Sequence, residues 1–286
     1  MALFGDNKAL IDLGADLGMK KYTLTQDGEI QLGSFSAKNT TLNRWAINKK
    51  AKQQDKSVII ELFTLESAFK GEVNEVFKST EAVNKVFKQI YNELEVSVNS
   101  YGELSRVLNH KQMKDKWINL KKELVTIESQ KLPFDQILKL NDNIFDNYQL
   151  LHNVVSANEF FSIFCNCIYG KNPPFSSSRK SRNLLSTGEI QFNYQTELTH
   201  EDDKNYKIAI SGNPEQISDS KKMELYKEFK FLDPYLKALK PVHIYKAEYV
   251  VDKKSGWIQN AKIRAEEIVH PGLLYSSMDF KLEIDN

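Results

Sequence analysis

In the stretch Tyr91–Val125, YNELEVSVNSYGELSRVLNHKQMKDKWINLKKELV, every local signal indicates the same succession of secondary-structure elements. Apolar and polar residues alternate from Leu94 to Asn99, with the period of two that is typical of a half-buried strand. Residues 99–102 (NSYG) then predict a turn, because Asn and Gly both tolerate left-handed backbone angles. A second strand is expected from Leu104 to Leu108.

A helix is expected directly after this hairpin. Asn109 is placed to cap its first turn, and Gln112 completes a variant of the capping box. Apolar residues then recur at spacings of four, three and four, which indicates one apolar stripe. They are Met113, Trp117, Leu120 and Leu124. The stretch therefore predicts strand, turn, strand and capped helix in succession.

Residues 91–124 also resemble a segment of uncharacterised bacterial proteins. The shared pattern is an extended run, Asn-x-x-Gly, a strand, Asn, and a helix that carries Trp and Lys. The matching segment is about an eighth of the chain. The resemblance implies a bacterial protein and brings no activity, cofactor or site residue with it.

The composition is that of an ordinary soluble globular protein. The chain has 286 residues, with 39 basic and 38 acidic side chains and a formal net charge of +1. This balance gives no general attraction to nucleic acid, so no nucleic-acid partner is expected. The most apolar run, Phe160–Tyr169, is about half the length of a membrane helix, so no membrane span is expected.

A cytoplasmic location is the default. Two cysteines do not make a disulfide framework, and residues 1–20 lack the basic and apolar regions of a secretory signal. The sequence leaves open whether a signal was removed.

The first part of the chain predicts further helices and hairpins. Residues 6–17 are expected to form a short helix, and residues 22–32 a hairpin that turns at Gln26-Asp27-Gly28. Residues 58–65 are expected to form a strand. Helices are expected after Gly71 and after Pro133, and another from Ser156 to Tyr169.

From residue 189 onward the alternation of apolar and polar residues predicts mostly sheet. One-sided alternation is typical of antiparallel sheet with one wet face, and the striped helices must cover the dry face. Six aromatic residues are expected on the inner face: Phe192, Tyr194, Tyr245, Tyr249, Trp257 and Phe280. The predicted class is α+β, with antiparallel sheets built from hairpins and one face covered by amphipathic helices.

Three regions are predicted within this class. Residues 1–170 form an N-terminal α+β region, residues 171–188 a loop or linker, and residues 189–286 a C-terminal antiparallel sheet with one helix. One continuous domain is the alternative. The sequence also leaves open whether residues 1–70 form a separate arm.

No catalytic, cofactor-binding or metal-ligating residue is predicted, and no cofactor is expected. Cys165 and Cys167 are one residue apart, whereas metal sites usually use Cys-x2-Cys, so buried structural thiols are expected. The five histidines lack ligand spacing, and His152 is expected at the core boundary. Asp202 and Asp203 are expected in a solvated turn, and no phosphate loop or nucleophile elbow occurs.

Three functional hypotheses follow. The first is a non-catalytic binding or scaffold protein that acts through protein–protein contacts in a bacterial assembly. The second is a carrier or sensor of an apolar small molecule held between sheet and helices, which a cavity of roughly 300 Å³ lined by the inner aromatics would favour. The third is a hydrolase of unfamiliar type, which paired buried acids with raised pKa values would favour. The sequence favours a protein that is not an enzyme, and it leaves the oligomeric state open.

Overall fold

Eleven strands form one antiparallel sheet in the computed structural model, which describes residues 11–71, 87, 89–127, 134–166 and 168–285. The strands are β1 (Gly18–Leu32), β2 (Phe35–Lys52), β3 (Val58–Gly71), β4 (Glu93–Val98), β5 (Leu104–Val107), β6 (Phe175–Arg182), β7 (Glu189–Glu201), β8 (Asn205–Pro214), β9 (Val242–Asp252), β10 (Ile258–His270) and β11 (Leu274–Asp285).

The described α-helices lie in two connections. Between β5 and β6 the chain forms α1 (His110–Ile127), α2 (Phe134–Asp146), α3 (Tyr148–Ser156) and α4 (Glu159–Phe164), and between β8 and β9 it forms α5 (Asp219–Tyr226). Short 3₁₀ turns follow α5 at Lys230–Leu232 and Leu236–Ala238, and another precedes β4 at Gln89–Tyr91. None of the described helices is long and apolar enough to cross a membrane.

The predicted α+β class is wrong, because a single sheet dominates the described residues. The strand order is β5-β4-β3-β2-β1-β11-β10-β9-β8-β7-β6. Each hairpin continues into the next, and β1 pairs with both β2 and β11. The pairing of β1 with β11 joins strands from the two ends of the chain, and local alternation carries no signal for such a contact. The predicted regions 1–170 and 189–286 thus contribute neighbouring strands to one sheet.

Strand β1 is long because residues 26–28 do not turn. Gly28 pairs with Met278 on one side and with Asn39 on the other, so it continues the ladder. The turn comes instead at Gly33, whose φ of 62° is a left-handed conformation that favours glycine. The hairpin predicted within residues 22–32 is therefore wrong, since the β1–β2 turn lies just beyond it.

Residues 91–125 fold as the sequence predicts, with one change at Asn109. Strand β4, the turn, strand β5 and helix α1 follow in the expected order. The side chain of Asn109 does not cap the helix; it accepts a hydrogen bond from the Glu95 amide at 3.0 Å and donates one to the Glu93 carbonyl at 2.9 Å. Asn109 thus ties the start of α1 to β4.

Two other segments differ from the sequence predictions. Residues 171–188, expected to be a loop or linker, contain the edge strand β6. The helix was expected over residues 6–17; residues 6–10 lie outside the described residues, and residues 11–17 form an irregular turn. In this turn the amide of Gly14 donates to Asp12 Oδ1 at 2.9 Å, a local hydrogen bond that competes with helix formation. Residues 72–86 of the helix predicted after Gly71 lie outside the described residues.

The sheet curls around the residues that follow α4. A β-carbon at Gly102, in the β4–β5 turn, would lie 3.4 Å from the carbonyl oxygen of Cys165. The next residue, Asn166, accepts a hydrogen bond of 2.9 Å from Arg179 Nη2 of β6. Strands β5 and β6 are the two edges of the sheet, and ten strand spacings would separate them by roughly 48 Å in a flat sheet. Adjacent residues contact both edges, so the sheet must be strongly curled.

Helix α4 fills the interior of this curl with aromatic side chains. Phe160 contacts Trp45 of β2, with 5.4 Å between ring centroids, and stacks on Phe164 at 4.9 Å. Phe164 contacts Tyr22 of β1 at 6.0 Å. All four residues are buried. The six-residue helix is too short to be stable alone, and its burial against the sheet supplies most of its stability.

Phe160→Ala is expected to lower the free energy of unfolding by about 3–5 kcal/mol, because it leaves a cavity in the centre of the curl. Phe35→Ala is the matched control, since Phe35 is 48% exposed; it is expected to cost under about 1 kcal/mol. Chemical denaturation of both variants measures the difference. Equal losses would contradict the central position of α4.

Candidate functional site

Lys49 places an amine inside the curled sheet. It follows Trp45 and Ile47 at a spacing of two on β2, so all three side chains point to the inner face. Lys49 is 1% exposed, and its Nζ is buried with no hydrogen-bond partner among the described residues. The Nζ atom lies 3.7 Å from the centroid of the Trp257 ring, a cation–π geometry.

The surroundings of Lys49 disfavour its charged form. Burial lowers the pKa of Lys49 to about 7, and the charges of Asp16 and Asp12 only partly oppose this shift. Burial also raises the pKa of the nearby Cys165 thiol to about 12, so this thiol is not a reactive thiolate at neutral pH. Cys167 lies outside the described residues.

Glu267 is the centre of a second buried polar cluster, on β10. Its Oε1 accepts hydrogen bonds from Asn183 Nδ2 at 2.7 Å and from the Tyr226 hydroxyl at 2.9 Å. Its Oε2 accepts from the Leu185 amide at 3.1 Å. His243 Nε2 lies 3.5 Å from Oε1. The carboxylate thus joins the β6–β7 turn, the end of α5 and strand β9.

The electrostatics of this cluster indicate a structural tie. Burial opposes ionisation of Glu267, but hydrogen bonds from His243, Leu185 and Asn183 outweigh it and lower the pKa of the carboxyl. Burial and the adjacent Glu267 raise the pKa of Tyr226. The hydrolase hypothesis asks for buried acids with raised pKa values, and Glu267 shows the opposite shift. Its lone pairs are engaged by donors from three elements, which suits anchoring rather than proton transfer.

A third polar network connects Asn166 to the C-terminal strands. Asn166 Nδ2 donates to the hydroxyls of Tyr249 at 3.0 Å and Tyr245 at 2.5 Å. Its Oδ1 accepts from Arg179, whose guanidinium lies 4.6 Å from the centroid of the Tyr194 ring. This network holds the edge strand β6 against the centre of the curl.

The inner-face aromatics predicted from the sequence are mostly core. Phe192, Tyr194, Tyr249 and Trp257 are buried, whereas Tyr245 and Phe280 are half-buried. A cavity of about 690 Å³ lies elsewhere, between α1 and α2, and is lined by Lys114, Trp117, Ile118, Lys121, Lys122, Asp142 and Asp146. Four of the six aromatic positions therefore belong to the packed core.

An exposed aromatic patch covers the end of the sheet at the β1–β2 turn; we call it the aromatic end, consisting of Phe35, Phe231, Tyr235 and Val242. These side chains are 48%, 38%, 44% and 49% exposed. The Phe231 ring lies over Gly33, 3.7 Å from the position of a β-carbon there. Exposed apolar side chains that gather on one part of a surface often mark a binding site.

Contacts between neighbouring turns bring these residues to one end of the sheet. The Gly33 amide donates to the Leu273 carbonyl at 2.7 Å, which joins the β1–β2 and β10–β11 turns. The ring of Tyr235 lies 4.8 Å from that of His270. Val242 pairs with Ile268, two residues before His270. The four residues therefore surround one joined pair of turns.

Buried anchors fix the segment that carries Phe231 and Tyr235. Leu225, Leu232, Leu236 and Leu239 are buried, so the segment is held at both sides of each exposed ring. Residues 227–240 include four lysines and two acids. Lys227, Lys230, Lys237 and Lys240 are exposed, and give this end a positive surface.

The sequence-predicted polar positions are accounted for by local structure. His152 Nε2 lies 3.2 Å from the Leu104 carbonyl, a hydrogen bond at the core boundary as expected. Asp202 Oδ1 accepts from the amides of Lys204 and Asn205, which closes the β7–β8 turn. Lys49 and Glu267 were not predicted. Both continue a run of inward positions at period two, and this register is the signal that could have identified them.

Comparison with known proteins identifies no relative. No family model and no curated protein matches the chain, which agrees with a resemblance confined to residues 91–124. One similar solved structure is titled "Structure of DynF from the Dynemicin Biosynthesis Pathway of Micromonospora chersina". The similarity covers 98% of this chain and 87% of that chain, at 6% sequence identity and a TM-score of 0.20. At this level the similarity carries no argument about fold or function.

Glu267→Gln is expected to lower the free energy of unfolding by about 2–4 kcal/mol at pH 7, because the amide turns one acceptor into a donor that faces other donors. The folded carboxyl has a lowered pKa, so its stabilisation is present above about pH 4.5 and is lost as the pH falls through the folded value. The difference between the two proteins should therefore shrink below pH 4.5. Urea titrations at several pH values measure it.

Glu266→Gln is the control for this prediction. Glu266 is the adjacent residue on β10, faces outward and pairs with Arg264. Its substitution should change stability by under about 0.5 kcal/mol. If both variants lose the same stability, Glu267 is not the anchor described above.

Proposed function

We propose that the protein is a non-catalytic binding protein that docks through its aromatic end onto a protein partner in a bacterial assembly. The observation that carries this proposal is the exposure of Phe35, Phe231, Tyr235 and Val242 at one end of the sheet. Aromatic side chains supply a large contact area at low entropic cost and are enriched among interface hot spots.

The shape of the site supports docking without large rearrangement. The exposed rings sit on a segment whose leucines are buried, with Asp233-Pro234 between its two 3₁₀ turns. A segment held in this way loses little freedom when it binds, so more of the contact energy appears as affinity.

The charge around the site defines the chemistry of the partner. Lys230 and Lys237 flank the exposed rings in sequence and are exposed. A complementary partner surface has an apolar pocket for Phe231 or Tyr235 and an acidic rim. The lysines would steer the encounter and make the association rate depend on salt, while the rings would set the lifetime of the complex.

The partner can be identified by photo-crosslinking in source cells. A photoreactive phenylalanine analogue at position 235 is expected to capture one protein in high yield, because this position lies inside the aromatic end. The same analogue at position 101 is the matched control, since Tyr101 is also exposed (51%) but lies in the β4–β5 turn at the opposite end of the sheet. Mass spectrometry of the adducts reads out the result.

The captured partner is then purified and its affinity measured. The double variant Phe231→Ala/Tyr235→Ala is expected to weaken binding by at least tenfold, and Tyr101→Ala by less than twofold. Lys230→Glu/Lys237→Glu should slow association and reverse its salt dependence, because the attraction to an acidic rim becomes a repulsion. Three outcomes would overturn the proposal: equal capture from both positions, unchanged affinity of the double variant, or adducts with lipid together with binding to vesicles that contain anionic phospholipid.

A further inference from the structure

Residues 11–17 form a strap across the end of the sheet opposite the aromatic end. Its residues Ile11 and Leu13 are buried, although the segment has no helix or strand. The Gly170 amide donates to the Ile11 carbonyl at 3.3 Å, and Lys52 Nζ pairs with Asp12 Oδ2 at 2.6 Å. Buried apolar side chains and polar contacts with Lys52 and Gly170 therefore hold the strap on the sheet.

The strap and the buried amine meet at one side chain, Trp257. Its indole Nε1 donates to Asp16 Oδ2 of the strap at 3.1 Å, and its ring faces the Nζ atom of Lys49. The preceding Gly256 has a φ of 67°, and a β-carbon there would lie 2.3 Å from the Asp12 carbonyl oxygen. The β9–β10 turn thus packs closely against the strap, next to Lys49.

The titratable groups around Lys49 do not compensate its burial. Asp12 and Asp16 come from the strap, and Cys165 comes from the segment after α4. Asp12 already pairs with Lys52, and Asp16 already accepts from Trp257. Nothing among the described residues accepts a hydrogen bond from Lys49 Nζ. A protonated amine at this position lacks the solvation it would have in water.

We propose that the strap is a closure whose release is controlled by protonation of Lys49. With the strap in place the amine is dry and its neutral form is favoured. When the strap lifts, water reaches the inner face of β2 and the amine takes up one proton. The device lies at the opposite end of the sheet from the proposed docking site and does not depend on it.

The pH dependence follows from the two protonation states. In the closed form the pKa of Lys49 is about 7, and in the open form the amine has its ordinary value of 10.5. Between these values the open form binds one more proton, so the opening constant rises about tenfold for each pH unit of decrease. Below pH 7 Lys49 is protonated in both forms, and the opening constant no longer depends on pH. Alkaline conditions therefore favour the closed strap.

Hydrogen exchange measured by mass spectrometry tests the pH dependence of strap opening between pH 7 and pH 9, after correction for intrinsic exchange rates. The opening constant of peptides covering residues 11–17 is expected to rise about tenfold per pH unit of decrease in the wild type. In Lys49→Met, which keeps the apolar stem on Trp257, it should be independent of pH and at least tenfold lower at pH 7.

Lys52→Met is the matched control. It removes the ion pair of the strap with Asp12 and leaves Lys49 in place. It should raise the opening constant equally at every pH and leave the pH slope unchanged. The proposal is overturned if the wild type shows no slope, if Lys49→Met keeps it, or if β9 and β10 show the same slope, since global unfolding would then be the event observed.

Discussion

The packing of α4 between the two edges of the sheet is the constraint on which the other features depend. Phe160 and Phe164 fill the interior against β1 and β2, and the next residues reach the β4–β5 turn and strand β6. A flat sheet of eleven strands would expose one apolar face along its whole width. Curling around α4 buries that face, and buried side chains of α1, α2, α3 and α5 belong to the same core.

The curl also explains where buried polar groups are tolerated. The side chains of Asn166, Glu267 and Lys49 all point inward, toward a space with little water. Asn166 and Glu267 are satisfied by several partners, and each fastens a peripheral segment to the sheet. The Lys49 Nζ atom faces the Trp257 ring and has no acceptor among the described residues, so its charged form is poorly stabilised in the interior.

Local patterns predict the elements better than their assembly. The alternation in residues 94–108 and the helical stripe that begins at Met113 give the correct elements, because each is fixed by neighbours in sequence. In strand β2, Asn43 and Lys49 occupy inward positions and break the apolar alternation by which a strand is recognised. Strand β6 resembled a linker because Ser177, Arg179 and Ser181 take its inward positions. The single sheet itself depends on the pairing of β1 with β11, which connects distant parts of the chain.

The two ends of the curled sheet have different chemistry. One end is closed by the strap and a buried amine, and the other presents Phe231 and Tyr235 beside exposed lysines. The aromatic end was not predictable from the sequence, because its four residues lie in three separate segments that the β1–β2 and β10–β11 turns bring together. The buried polar clusters around Glu267 and Asn166 stabilise the fold. The proposed function therefore depends on the exposed residues of the aromatic end.

The distance between the two edges of the sheet distinguishes a sheet curled around α4 from a flat one. Spin labels at positions 103 and 180, both exposed, can be introduced after the native cysteines are replaced by serine, and the distance measured by double electron–electron resonance. Contacts through residues 165 and 166 connect Gly102 and Arg179 over roughly 20 Å. With the label arms included, we therefore expect a distribution of label-to-label distances centred below about 35 Å. A distribution centred near the roughly 48 Å of a flat sheet would contradict the curl around α4.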